Sequence, residues 1–103
     1  MEDVRLHTRI PVQFRASFTS VRVGTGEGAI VDLSPVGCRI ESSEPVPVTT
    51  YLELRLEVSL KEPPILVDLA AVRWARGTQF GVQFLSLRRE HQDRLNRVIE
   101  QVR

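Results

Sequence analysis

Apolar and polar residues alternate one for one over two long stretches of this chain, and that period is wrong for a helix. Val12, Phe14, Ala16 and Phe18 are separated by Gln13, Arg15 and Ser17. Leu52, Leu54, Leu56, Val58 and Leu60 are separated by Glu53, Arg55, Glu57 and Ser59. A period of two puts every second side chain on one face of a strand, so that one face is buried and the other is wet. A helix would scatter the same residues around its axis. The chain is therefore expected to be built mainly from half-buried strands.

The remaining segments fill in that picture. The first strand belongs to residues 10–23, "GTGEG" at 24–28 reads as a flexible turn, and residues 29–33 resume extended structure. Residues 38–41 form a short strand. The loop "SSEPVPVTT" follows, because its prolines oppose both helix and ladder. After the strand at 51–60, "KEPP" breaks the chain. Residues 65–75 are more uniformly apolar, as expected of a strand covered on both sides. "RGTQ" then turns the chain into 80–85, where Phe80, Val82 and Phe84 share a face. These are roughly six strands, spaced as in an antiparallel sandwich or small barrel. At the end the period changes: Ser86 can cap a helix whose Leu95, Val98, Ile99 and Val102 fall three and four apart. That helix is expected to close one end of the barrel, the alternative being a partner-binding helix. At 103 residues, 42% of them hydrophobic, the chain makes one domain: an arm at 1–9, a barrel at 10–85 and a helix at 86–103.

Several function classes fall away. The single cysteine, Cys38, sits in an apolar pattern and reads as a buried, inert thiol; alone it builds neither a disulfide framework nor a metal site. His7 and His91 have no second His or Cys at metal spacing, and "GTGEG" lacks the Lys of a phosphate loop. No enzyme activity and no cofactor are expected. The N-terminus lacks a signal-peptide layout and no run approaches a membrane span, so the expected setting is cytoplasmic, without membrane insertion. A net charge of +1 advertises no nucleic-acid partner. Of the 14 cationic residues only Lys61 is lysine. Arginine's planar fork suits phosphates and guanine edges, although codon usage in a GC-rich genome gives the same excess.

Two clusters remain. "RLHTR" places Arg5 and Arg9 four apart, just ahead of the first strand. It reads either as two solvated arginines on a ragged terminus or as an arm that folds two guanidinium groups over an anion. "DLSPVG" at 32–37 joins two strands. Its ordinary reading is turn chemistry, with Asp and Ser bonding nearby amides, Pro fixing φ and Gly taking a conformation closed to other residues. Its functional reading has Asp32 accept from a guanine edge and Ser34 supply a second hydrogen bond, with Gly37 admitting the ligand closely.

Taken together, the two clusters resemble the paired RxxxR and (D/N)xSxxG signatures of PilZ domains, bacterial receptors for cyclic di-GMP. "RIPV" after the second Arg, "VDLSPVGCRI", "VRWARGTQFGVQF" and the terminal helix extend the likeness over nearly the whole chain. The resemblance implies a six-stranded antiparallel β-barrel with a C-terminal helix. It implies that Arg5 and Arg9 grip the phosphates and meet the guanines, that Asp32 and Ser34 read a guanine edge, and that Gly37 keeps the turn tight. Arg39 either points toward the ligand or pairs with Glu41 or Glu53. An arm ordered by the ligand would present a new surface to an effector protein supplied in trans, from a monomer or a dimer. Two alternatives stand beside this one: a PilZ-like interaction adaptor that does not bind the nucleotide, and a small barrel for single-stranded nucleic acid. The second needs a basic groove with interleaved aromatics, for which only Trp74 and Tyr51 are available.

Overall fold

The computed structural model describes residues 9–44 and 46–102. Six antiparallel strands, β1 (Ile10–Ser20), β2 (Gly24–Ser34), β3 (Gly37–Glu41), β4 (Tyr51–Glu57), β5 (Ile65–Arg76) and β6 (Gln79–Ser86), precede one helix, α1 (Arg89–Val102). They close into a barrel in the order β1-β2-β3-β6-β5-β4, which leaves no free sheet edge. The inward set follows the alternation: Phe18, Ile30, Ile40, Leu52, Leu54, Leu56, Val67 and Val72 are all buried. Phe18 meets Phe80 edge to face at 5.5 Å, a favoured aromatic geometry. Leu95 and Ile99 of α1 are buried in the same core, so the helix closes the barrel as its spacing predicts.

Four local expectations are corrected. The glycines of "GTGEG" do not form the turn: residues 21–23 do, and Gly24–Gly28 lie in β2. The Ser20 hydroxyl accepts from the backbone N–H of Arg22 and of Val23, which holds that turn. Gly26 is small because the Phe18 ring lies over it; an added Cβ would stand 2.5 Å from the ring edge. β4 ends at Glu57, which leaves Leu60 fully exposed.

The third correction concerns β5, whose outer face is wet except at Ala71. Leu54 pairs with Val67 and Leu52 with Ala70, so β5 carries one extra residue and Leu69 turns to solvent. A bulge of this kind switches which sequence parity faces inward. The run therefore reads as uniformly apolar although it has a wet face. Fourth, Ser86 still belongs to β6 and caps nothing; the first helical turn closes on Arg88, whose carbonyl accepts from the N–H of His91 and of Gln92. His91, on the buried flank of α1, accepts the Leu66 backbone N–H at Nδ1 (3.1 Å) and so ties helix to barrel.

Candidate functional site

A one-residue offset in β2 creates the site. Strict alternation from the buried Ile30 would turn Asp32 into the core. Instead the register shifts between Ile30, opposite Ile40, and Asp32, opposite Arg39. Leu33 takes the inward place and is fully buried, while Asp32 moves to the outer face with its side chain 14% exposed. There both carboxylate oxygens face arginines. Arg9 Nη1 donates to Oδ1 at 3.2 Å, and Arg39 Nε lies 3.0 Å from Oδ2. The Arg39 contact is an ion pair rather than a directed hydrogen bond, because its buried Nε–H is not aimed at the oxygen. Arg39 Nη1 also donates to the Gln79 carboxamide at 3.3 Å.

The sequence-expected residues thus divide. Arg9 and Asp32, 23 positions apart, meet. Arg39 joins them; its partner is Asp32 and not Glu41 or Glu53. Arg5 lies outside the described residues. Ser34, expected to face a base, is instead 2% exposed, with its hydroxyl committed to the turn. It donates to the Gly37 carbonyl at 3.3 Å and accepts the Val36 N–H at 3.2 Å. Gly37 needs neither a left-handed φ nor a ligand at close range to explain it. An added Cβ would stand 2.3 Å from the Val82 carbonyl oxygen, so the absent side chain is what lets β3 lie against β6. The turn is anchored twice more: Val36 O accepts the Phe84 N–H, and Pro35 O accepts from the Gln92 amide of α1.

Closure of the barrel adds residues that sequence order keeps apart. β6 lies beside β3, and a shallow recess of about 230 Å³ opens there, lined by Arg9, Gly37, Trp74, Gly81 and Gln83 among others. The surface has larger hollows. One of about 600 Å³ is flanked by Glu27, Glu41 and Glu44, which would repel an anion, and one of about 470 Å³ lies by Phe14 and Leu60. Charge, not volume, points to the Arg9 face. Among the described residues no group of three or more His, Cys, Asp or Glu is placed to hold a metal ion. Among those residues no helix is long and apolar enough to cross a membrane.

Cys38 lies directly beneath this face. Its complete burial pushes the thiol pKa far up; the Asp32 carboxylate adds to the rise and Arg9 partly offsets it. The thiolate, the reactive form, is therefore strongly disfavoured in the folded protein. Ellman's reagent is expected to leave Cys38 untouched under native conditions and to react fully in denaturant. Rapid native labelling would show a core more open than this one.

A family model described as the PilZ domain matches residues 2–101. The chain is similar to the PilZ domain of CeSA from a cellulose-synthesizing bacterium, with a TM-score of 0.69 at 19% identity over 92% of this chain and 94% of that one. It is similar to the PilZ domain of YcgR from Escherichia coli, solved with c-di-GMP, with a TM-score of 0.76 at 13% identity over 93% and 88%. It also matches the inhibitor of motility MotI/DgrA of Bacillus subtilis, with a TM-score of 0.71 at 11% identity. That match covers 92% of this chain and 49% of the other, so the chain spans about half of that protein. At these identities the structures share a fold. No curated protein matches the sequence.

Proposed function

The chain belongs to the PilZ domain family, and on that footing we propose that it is a cyclic di-GMP receptor whose ligand lies against the Arg9–Asp32–Arg39 face. The observation that carries this reading is the meeting of the two signature clusters at one carboxylate, with Arg9 on one oxygen and Arg39 beside the other. The ligand offers two phosphates and two guanines. Guanine's N1–H and N2–H₂ are adjacent donors that a carboxylate accepts together, and phosphates suit arginine forks.

Binding is then an exchange. The guanine edge takes over the carboxylate from Arg9, which, joined by Arg5, turns to a phosphate. Magnitudes favour the exchange. The Arg9 side chain is 43% exposed, and an ion pair so open to water is worth at most about 1 kcal/mol. A hydrogen bond to a charged group is worth roughly 1.5–3 kcal/mol. Arg39, less exposed and braced by Gln79, stays as the fixed cation. Ser34 and Gly37 act beneath the ligand by holding the turn that presents Asp32. The ligand and the rearranged arm together form the surface read by an effector protein in trans.

The same ion pairs support a second reading. A carboxylate already matched by two arginines is a self-contained surface, as an adaptor that ignores the nucleotide would have. Calorimetric titration with cyclic di-GMP, cyclic di-AMP and GTP separates the two. The receptor reading expects saturable heat with cyclic di-GMP and far weaker binding of the other two. Silence with all three leaves the adaptor, and equal binding of cyclic di-AMP removes guanine reading from Asp32.

A further inference from the structure

β1 and β4 are paired from Arg15 opposite Glu57 to Thr19 opposite Glu53, and no further. Beyond Glu57 β4 ends while β1 runs back to Ile10, so the seam between them opens. The hollow of about 470 Å³ lies in this opening. Its apolar lining includes Phe14, Val58 and Pro64, all half-buried, and Glu57 and Glu62 stand at its mouth. Arg15 lies opposite Glu57 across the strands, yet its guanidinium is turned to Glu27 at 3.0 Å. At the lip of the same hollow stands Leu60, fully exposed, followed by Lys61, the single lysine of the chain. The loop that carries them is braced. Ser59 Oγ accepts the Lys61 N–H at 3.0 Å, and Pro63 and Pro64 stiffen the exit. Arg94 of α1, its side chain only 17% exposed, donates to both proline carbonyls and to the Glu62 carboxylate.

We propose that this surface is a self-association site, in which Leu60 of each of two copies enters the hollow of the other and Lys61 meets the partner's Glu57. A lone exposed apolar residue is ordinary. Here an apolar knob with a cation behind it stands beside an apolar hollow with an acid at its mouth, so one patch carries both halves of a match. A twofold axis between two copies satisfies both halves at once and closes the assembly at two. Leucine fills the hollow, and the apolar stem of the lysine covers its edge while the ammonium reaches the carboxylate. In the barrel order the β1–β4 seam lies across from the β3–β6 seam, so the dimer leaves the recess beside Arg9 open. Self-association of this kind does not depend on a nucleotide. The contact is small, which makes the dimer weak and dependent on concentration.

Sedimentation velocity over roughly 10 μM to 1 mM is expected to show a monomer passing into a dimer. Leu60→Asp should weaken association at least about 10-fold and leave the circular dichroism of the wild type. Charge exchange gives a sharper readout. Lys61→Glu and Glu57→Lys should each be monomeric alone, since each sets like charges together twice in a symmetric pair. Mixed in equal amounts they should form a dimer, because both contacts then join opposite charges. Where Leu60→Asp does not fold, the charge variants decide. A wild-type monomer at every concentration overturns the proposal and leaves the patch to another protein. A dimer that survives Leu60→Asp, or charge variants that fail to dissociate alone or to recover when mixed, overturns this surface as the site of association.

Discussion

Gly37→Ala is expected to lower the melting temperature by roughly 10–20 °C, more than any other substitution in the signature turn. The new Cβ would stand 2.3 Å from the Val82 carbonyl oxygen, far inside contact distance. Neither side can move away cheaply. β3 is paired to β6 from Gly37 through Glu41, and Phe84 N–H holds Val36 O just beyond. Overpacking against side chains costs about 1–3 kcal/mol, and here the obstacle is backbone, so the upper end applies. In a domain of this size each kcal/mol is worth roughly 4–8 °C. Thermal unfolding followed by circular dichroism reads the shift. A melting temperature within about 2 °C of wild type would show that this glycine serves a bound ligand and not the barrel.

Asp32→Ala should do the opposite, removing binding and sparing the fold. On the receptor reading, two hydrogen bonds from a guanine edge to a charged acceptor are lost, about 1.5–3 kcal/mol each before compensation. At 1.4 kcal/mol per factor of ten, affinity for cyclic di-GMP falls about 100-fold or more. Discrimination against cyclic di-AMP disappears with it. Stability changes less than in Gly37→Ala, because Arg9 can be hydrated and Arg39 keeps its hydrogen bond to Gln79, although its buried Nε loses its counter-charge. Calorimetry and thermal melts on the same sample separate the outcomes. Binding within threefold of wild type removes Asp32 as the guanine acceptor. A melting loss as large as that of Gly37→Ala would make the carboxylate a structural brace for its two arginines.

The barrel was legible because alternation is a local signal and survives on β1, β4 and β6. The helix announced itself equally well, through Leu95 and Ile99. Where the reading went astray, the cause was an interruption of that alternation or a contact made across the sheet. The extra residue in β5 disguised a half-buried strand as a doubly covered one. The glycines of β2 looked like a turn because nothing near them in sequence reveals the Phe18 ring that covers Gly26. Arg9 with Asp32 was foreseeable from the paired signatures. Arg39 with Asp32 was not, since it depends on a register shift that moves one strand by a single place. Trp74 was invisible as a neighbour of Arg9, because β5 and β6 reach β3 only when the barrel closes.

The offset in β2 means that the six-residue signature is not a portable part. Spliced onto a regular hairpin, "DLSPVG" would carry its Asp to whichever side the preceding strand dictates. Regular pairing through Val31, with no extra residue taken up at the shift, would exchange the roles of Asp32 and Leu33, burying the acid and wetting the leucine. Core and proposed recognition surface are therefore set by one shared phase along β2. Evolution or design can alter the side chains on either face freely, but a change in that phase loses both at once.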